Sequence, residues 1–122
     1  MGTLLVAVSG CDQDPFRSSE RNVAGPYALK QWEDGATYYL VGGPQPDSGG
    51  GAINGTVIRV GWDARYILTQ RMATSGGDTA WIVVDTERRT VSGPLTDAEL
   101  ALQPDVARLT TYRADSAWAR LR

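Results

Sequence analysis

Asp34, Asp63 and Asp85 are the carboxylates that could do acid–base chemistry in this 122-residue sequence. Paired carboxylates divide acid and base roles only when two of them converge in one pocket. Each of these three also sits where an extended run gives way to turn residues, a place where aspartate ordinarily accepts backbone hydrogen bonds. The turn role is the stronger expectation. Other catalytic groups are missing. The chain has no histidine, the commonest general base and metal ligand. It has a single cysteine, Cys11, so neither an internal disulfide nor a cysteine zinc cluster can form. A serine nucleophile would need a lysine base, and Lys30, the only lysine, has no Ser-x-x-Lys spacing before it. Gly49–Gly55 lacks the Lys-(Ser/Thr) ending of a phosphate-binding loop and precedes a strand pattern, not a helix. Asp47 and Asp78 are too few oxygens for a calcium cage. No catalytic residue, cofactor or metal site is expected.

Cys11 points to a different chemistry. Leu4 to Val8 is apolar, Ser9 and Gly10 are small, and the thiol follows. Val8-Ser9-Gly10-Cys11 resembles the lipobox of bacterial lipoproteins, in which small residues admit a peptidase and the thiol takes a diacylglycerol. Each buried CH₂ of such an anchor contributes about 0.8 kcal/mol. Residues 1–10 then read as a signal-like segment, although it lacks the basic residues that open a secretory signal. Residues 11–24, with Phe16 and Val23 as their sizeable apolar side chains, read as a polar tether. The alternative is that Thr3 to Ser9 is a buried strand and Cys11 an ordinary buried thiol.

From Gly25 onward the pattern is that of antiparallel hairpins. Pro26–Trp32, Ala36–Val41, Thr56–Trp62, Arg65–Met72, Thr79–Asp85 and a short Thr90–Ser92 alternate between turn signals, the Asp34-Gly35 pair being a strong one. Ile58, Val60 and Trp62 fall on one strand face. Gly42–Gly55, with six glycines and two prolines, reads as a loop. Thr96-Asp97-Ala98-Glu99 is a capping box, with Leu95 and Leu100 as a staple. A helix follows to Gln103, and Asp115–Leu121 reads as a second. The expected fold is α+β: a single domain over residues 25–122, built as an antiparallel meander of about six strands with one or two C-terminal helices packed on it.

Trp81-Ile-Val-Val-Asp85 and Val91-Ser-Gly93-Pro94-Leu95-Thr96, taken with Val57–Ile67 and the start at Cys11, resemble small bacterial lipoproteins of unknown function. The resemblance implies an envelope address and no established activity. Asp12 directly after Cys11 resembles the inner-membrane retention signal of enteric-type Gram-negative bacteria, so a membrane-anchored, periplasm-facing site is expected.

The remaining candidates are aromatic. Tryptophan and tyrosine dominate protein-interface anchors and sugar-stacking surfaces. Trp62 and Trp81 lie in apolar strands and are expected to pack in the core. Trp32 and Tyr39 lie in a more polar hairpin and are the expected binding residues, for an envelope protein or a cell-wall or carbohydrate ligand. Nucleic acid is not an expected partner: 12 Lys+Arg stand against 14 Asp+Glu, a net charge of -2. The competing functional reading is a soluble, cytoplasmic inhibitor or immunity-type module with its first residues folded into the sheet.

Overall fold

The computed structural model describes residues 19–42, 55–73 and 77–121. Cys11, the signal-like segment, and the loop between residues 43 and 54 lie outside them. Strands β1 (Ser19–Ala24), β2 (Tyr27–Gln31) and β3 (Tyr38–Gly42) form one antiparallel sheet in that order. A second sheet has the order β7-β6-β5-β4-β8. Its strands are β4 (Thr56–Trp62), β5 (Tyr66–Met72), β6 (Thr79–Asp85), β7 (Thr90–Leu95) and β8 (Tyr112–Arg113). Helices α1 (Asp97–Ala101), α2 (Pro104–Ala107) and α3 (Ala114–Arg120) complete the described chain. Every strand pair is antiparallel. The α+β antiparallel meander is therefore the observed class, divided between two sheets where the alternation suggested one.

The larger sheet is the middle layer. Val57, Val60, Ile67, Ile82 and Val84 meet Tyr27, Leu29, Tyr38 and Leu40 of the smaller sheet, and α3 adds Ala117 and Trp118. On the opposite face Leu68 and Val83 pack against Leu100 of α1 and Val106 of α2. Helices this short do not hold themselves in water, so it is this burial that fixes them. The capping box closes as the sequence indicates: Glu99 N–H donates to Thr96 Oγ1 at 3.1 Å, and Thr96 N–H donates to Glu99 Oε1 at 2.8 Å.

Four departures from the sequence reading have a clear physical reason. Ser19–Ala24 is strand, not tether, so the domain begins before Gly25. Its composition is polar because Ser19 and Glu20 face solvent, whereas Val23 and Ala24 are buried. Arg21 supplies a further tie: its guanidinium lies 4.3 Å over the Trp118 ring and Nη1 donates to Trp118 O at 2.8 Å. Second, β7 runs on through Gly93-Pro94 to Leu95. It is an edge strand, where a proline need not supply a ladder donor. Third, the β4–β5 register shifts between Val57 and Arg59, leaving Ile58 as the extra residue. Val57 therefore replaces Ile58 on the core face with Val60. Fourth, Pro104, directly after the expected helix end at Gln103, opens α2, its fixed φ and missing N–H suiting a first helical position.

Candidate functional site

The three aspartates occupy three turns. Between β2 and β3, Asp34 Oδ1 accepts from the amides of Ala36 (2.8 Å) and Thr37 (2.9 Å), and Oδ2 accepts from Thr37 Oγ1. Between β4 and β5, Asp63 Oδ1 accepts from the amides of Arg65 (2.8 Å) and Tyr66 (2.7 Å). At the end of β6, Asp85 receives a two-pronged contact from Arg65, Nε to Oδ1 at 3.2 Å and Nη2 to Oδ2 at 2.9 Å. Its Oδ1 also accepts from the amides of Glu87 and Arg88, both at 3.1 Å. These are the turn roles that the sequence pattern favours. No two of the three carboxylates hydrogen-bond to each other as a proton-sharing pair would: Asp63 and Asp85 meet different groups of Arg65, its amide and its guanidinium.

All three carboxyl groups are held below the usual aspartate range. For Asp34 the Thr37 hydroxyl is the main cause, followed by the Ala36 and Thr37 amides. For Asp63 it is the Tyr66 amide, with Arg65 and Arg108 adding to it. For Asp85 it is the Arg65 guanidinium. Groups depressed in the folded state contribute stability that is present above the unfolded value, about 3.9, and is lost as pH falls through the folded one. The urea midpoint is expected to hold down to about pH 4 and to fall below it. Asp85→Asn should lower the midpoint at pH 7, and the deficit should shrink as pH falls below about 4 and through the folded value. A deficit that stays constant as the acid is titrated would show that charge is not what Asp85 contributes.

Trp32 and Tyr39, the residues singled out in the sequence, are brought together. Their ring centroids are 6.1 Å apart with planes at 79°, an edge-to-face contact. Trp32 is 44% exposed, and Lys30 Nζ lies 5.8 Å from its centroid. Lys30 pairs with Tyr39 across the β2–β3 ladder and with Glu20 of β1. Because Tyr27, Leu29, Tyr38 and Leu40 occupy the inner face, alternation sends Lys30, Trp32 and Tyr39 outward.

Trp62 and Trp81 pack against the two cores but only partly bury. Trp81 Nε1–H donates to Asp97 Oδ1 at 2.7 Å, joining β6 to the start of α1. Trp62 opens onto a cleft of about 410 Å³ lined by Arg108, Leu109, Thr110, Tyr112 and Arg120. The Trp62 and Tyr112 centroids are 5.8 Å apart with planes inclined at 53°. Arg120 Cζ lies 4.1 Å over the Tyr112 ring, and Arg108 Nη2 is 3.7 Å from Asp63 Oδ2. Comparison with protein-family models, curated proteins and solved structures finds no match.

Sequence reasoning missed this cleft. Its aromatic wall comes from β4 and β8, and β8 is two residues long, with no periodic signal to mark it. The available signal was compositional: three arginines and a tyrosine from Arg108 to Arg120. Among the described residues no three His, Cys, Asp or Glu side chains gather as a metal site would require.

Proposed function

We propose that this chain is a lipid-anchored, non-catalytic module of the bacterial envelope, attached through Cys11, whose domain docks an envelope protein on the Trp32–Tyr39 face. The observation that carries the binding role is the outward Trp32–Tyr39 pair beside Lys30. An exposed tryptophan on a sheet face is the usual form of a protein-interface anchor, whereas small ligands take concave sites. Neither Trp32 nor Tyr39 lines the Trp62 cleft or a second cleft bounded by Tyr38, Val57, Arg59 and Asp115, so a partner that meets a surface suits them better. The anchoring role rests on the Val8–Cys11 resemblance and on the polar residues that follow it. The three turn aspartates, each committed to a structural partner, support a non-catalytic reading. The rival in which residues 4–8 join the sheet concerns residues outside those described.

Two measurements test this reading. The intact mass of the chain extracted from bacterial membranes should match a chain beginning at a diacylglycerol-modified Cys11; an unmodified Met1 start would overturn the anchor. A photo-crosslinking residue placed at Ala28, on the outward face of β2, should capture one discrete envelope protein. Each anchor truncation in a protein interface costs about 2 kcal/mol or more. Trp32→Ala with Tyr39→Ala should therefore reduce capture at least thirtyfold while the melting curve keeps its shape. Undiminished capture by that double variant would sink the proposed face.

A further inference from the structure

We infer that the cleft between Trp62, Tyr112, Arg108 and Arg120 binds a sugar ring bearing a carboxylate. This site lies apart from the Trp32–Tyr39 face and stands whether or not the chain carries a lipid. Three features of the cleft select the ligand. The first is charge: its six lining residues include two arginines and no acid, in a chain whose net charge is -2. Arg120 rests on the Tyr112 ring, and among the described residues no carboxylate lies within ion-pair distance of it. Arg108 touches Asp63 only at 3.7 Å and stays two-thirds exposed, so its donors remain open to a second acceptor. The forked donors of a guanidinium match the two oxygens of a carboxylate.

The second feature is the aromatic wall. Arg120 covers one face of Tyr112, which leaves Trp62 as the ring against which a ligand can lie. The 53° inclination between Trp62 and Tyr112 makes a V, not two parallel plates. A flat nucleobase gains most from parallel stacking. A pyranose instead offers one C–H face to a single aromatic plane and turns its hydroxyls elsewhere. The third feature is a polar partner for those hydroxyls: Thr110, which carries a hydroxyl, also lines the cleft. The cleft's volume, about 410 Å³, suits one or two sugar units.

Two methyl glycosides that differ only in the carboxylate test the inference. The ¹⁵N-labelled full chain is titrated with methyl β-glucuronide, methyl β-glucoside, inorganic phosphate and adenosine monophosphate. The indole N–H of Trp62, identified by its absence from Trp62→Phe, and the Tyr112 amide report the cleft. Expected are saturable shifts with the glucuronide and binding at least tenfold weaker with the glucoside. Arg120→Gln should weaken the glucuronide at least fivefold, and Arg88→Gln, in the exposed turn after β6, should not change it. Equal binding of glucuronide and glucoside would overturn the role of charge. Phosphate binding as tightly as glucuronide would reduce the site to a plain anion site and overturn the sugar. Tighter binding of the nucleotide would overturn the ligand class, and an unchanged Arg120→Gln would overturn the assignment of residues. None of these results bears on capture at the Trp32–Tyr39 face, so the two readings fail separately.

Discussion

A chain that starts at Gly25 is expected to lose cooperative folding, although Gly25 is where the sequence pattern places the domain boundary. The loss follows from what β1 holds. Its residues pair with β2 from Ser19 opposite Gln31 to Ala24 opposite Tyr27. Without β1, the β2–β3 hairpin is a two-stranded ribbon, which is marginal in water. Val23 is buried in the main core, and covering a side chain of that size contributes about 1.5–3 kcal/mol. Each ladder hydrogen bond adds roughly 0.5–1.5 kcal/mol net. Arg21 then fastens the strand to the C-terminal end of α3 through the Trp118 and Leu121 carbonyls. The sum reaches several kcal/mol, a large part of the roughly 5–15 kcal/mol that holds a domain together. Urea unfolding followed by tryptophan fluorescence checks this, with the full chain as reference. The Gly25 start should give no sigmoidal transition. Arg21→Ala in the full chain should lower stability by about 1–2 kcal/mol, the size of one stacked cation with its hydrogen bond. A chain from Gly25 that unfolds at the parent's midpoint would show that β1 is dispensable.

What the sequence disclosed and what it hid divide along a physical line. Thr56–Trp62 and Thr79–Asp85 are legible to the residue because their apolar side chains feed the cores, β4 the main one and β6 both. The capping box is legible because its four residues are contiguous, and the turn aspartates because their bonds reach two or three residues along the chain. The Trp32–Tyr39 contact was within reach, since one hairpin joins the two residues. β1 was hidden because only one end of it is buried, and its strand character comes from a neighbour, not from periodicity. The division into two sheets depends on how β3 meets β4, across a stretch rich in glycine that carries no directional signal. The cleft was hidden for the same reason: Trp62 and Arg120 are far apart in sequence and meet only because β8 returns to the edge of β4.

Gly61→Ala is expected to pull that edge apart. Gly61 lies in β4 directly beneath the segment that leads into β8, and it is buried. A Cβ at this position would stand 2.3 Å from Thr110 O, 3.0 Å from Thr110 C and 3.1 Å from Thr111 Cγ2. The nearest obstacle is backbone, so no change of rotamer relieves it. Two further contacts hold the segment in place: Arg59 Nη2 donates to Thr111 O at 2.9 Å, and Arg59 Nε donates to Thr111 Oγ1 at 3.1 Å. Overpacking of this kind costs about 1–3 kcal/mol. The strain should fall first on β8, which pairs with β4 through only Arg59–Arg113 and Val60–Tyr112. Hydrogen exchange of the Tyr112 and Arg113 amides should therefore accelerate at least tenfold, and glucuronide binding should weaken with it. Two companions separate the causes. Adding Thr111→Ser removes the Cγ2 contact but not the carbonyl, and should restore little. Gly77→Ala places a side chain at φ +89° with nothing within 4 Å, so it carries backbone strain alone and should leave β8 exchange unchanged. If Gly61→Ala keeps the parent's exchange at Tyr112, the close approach of Thr110 is not what positions the cleft.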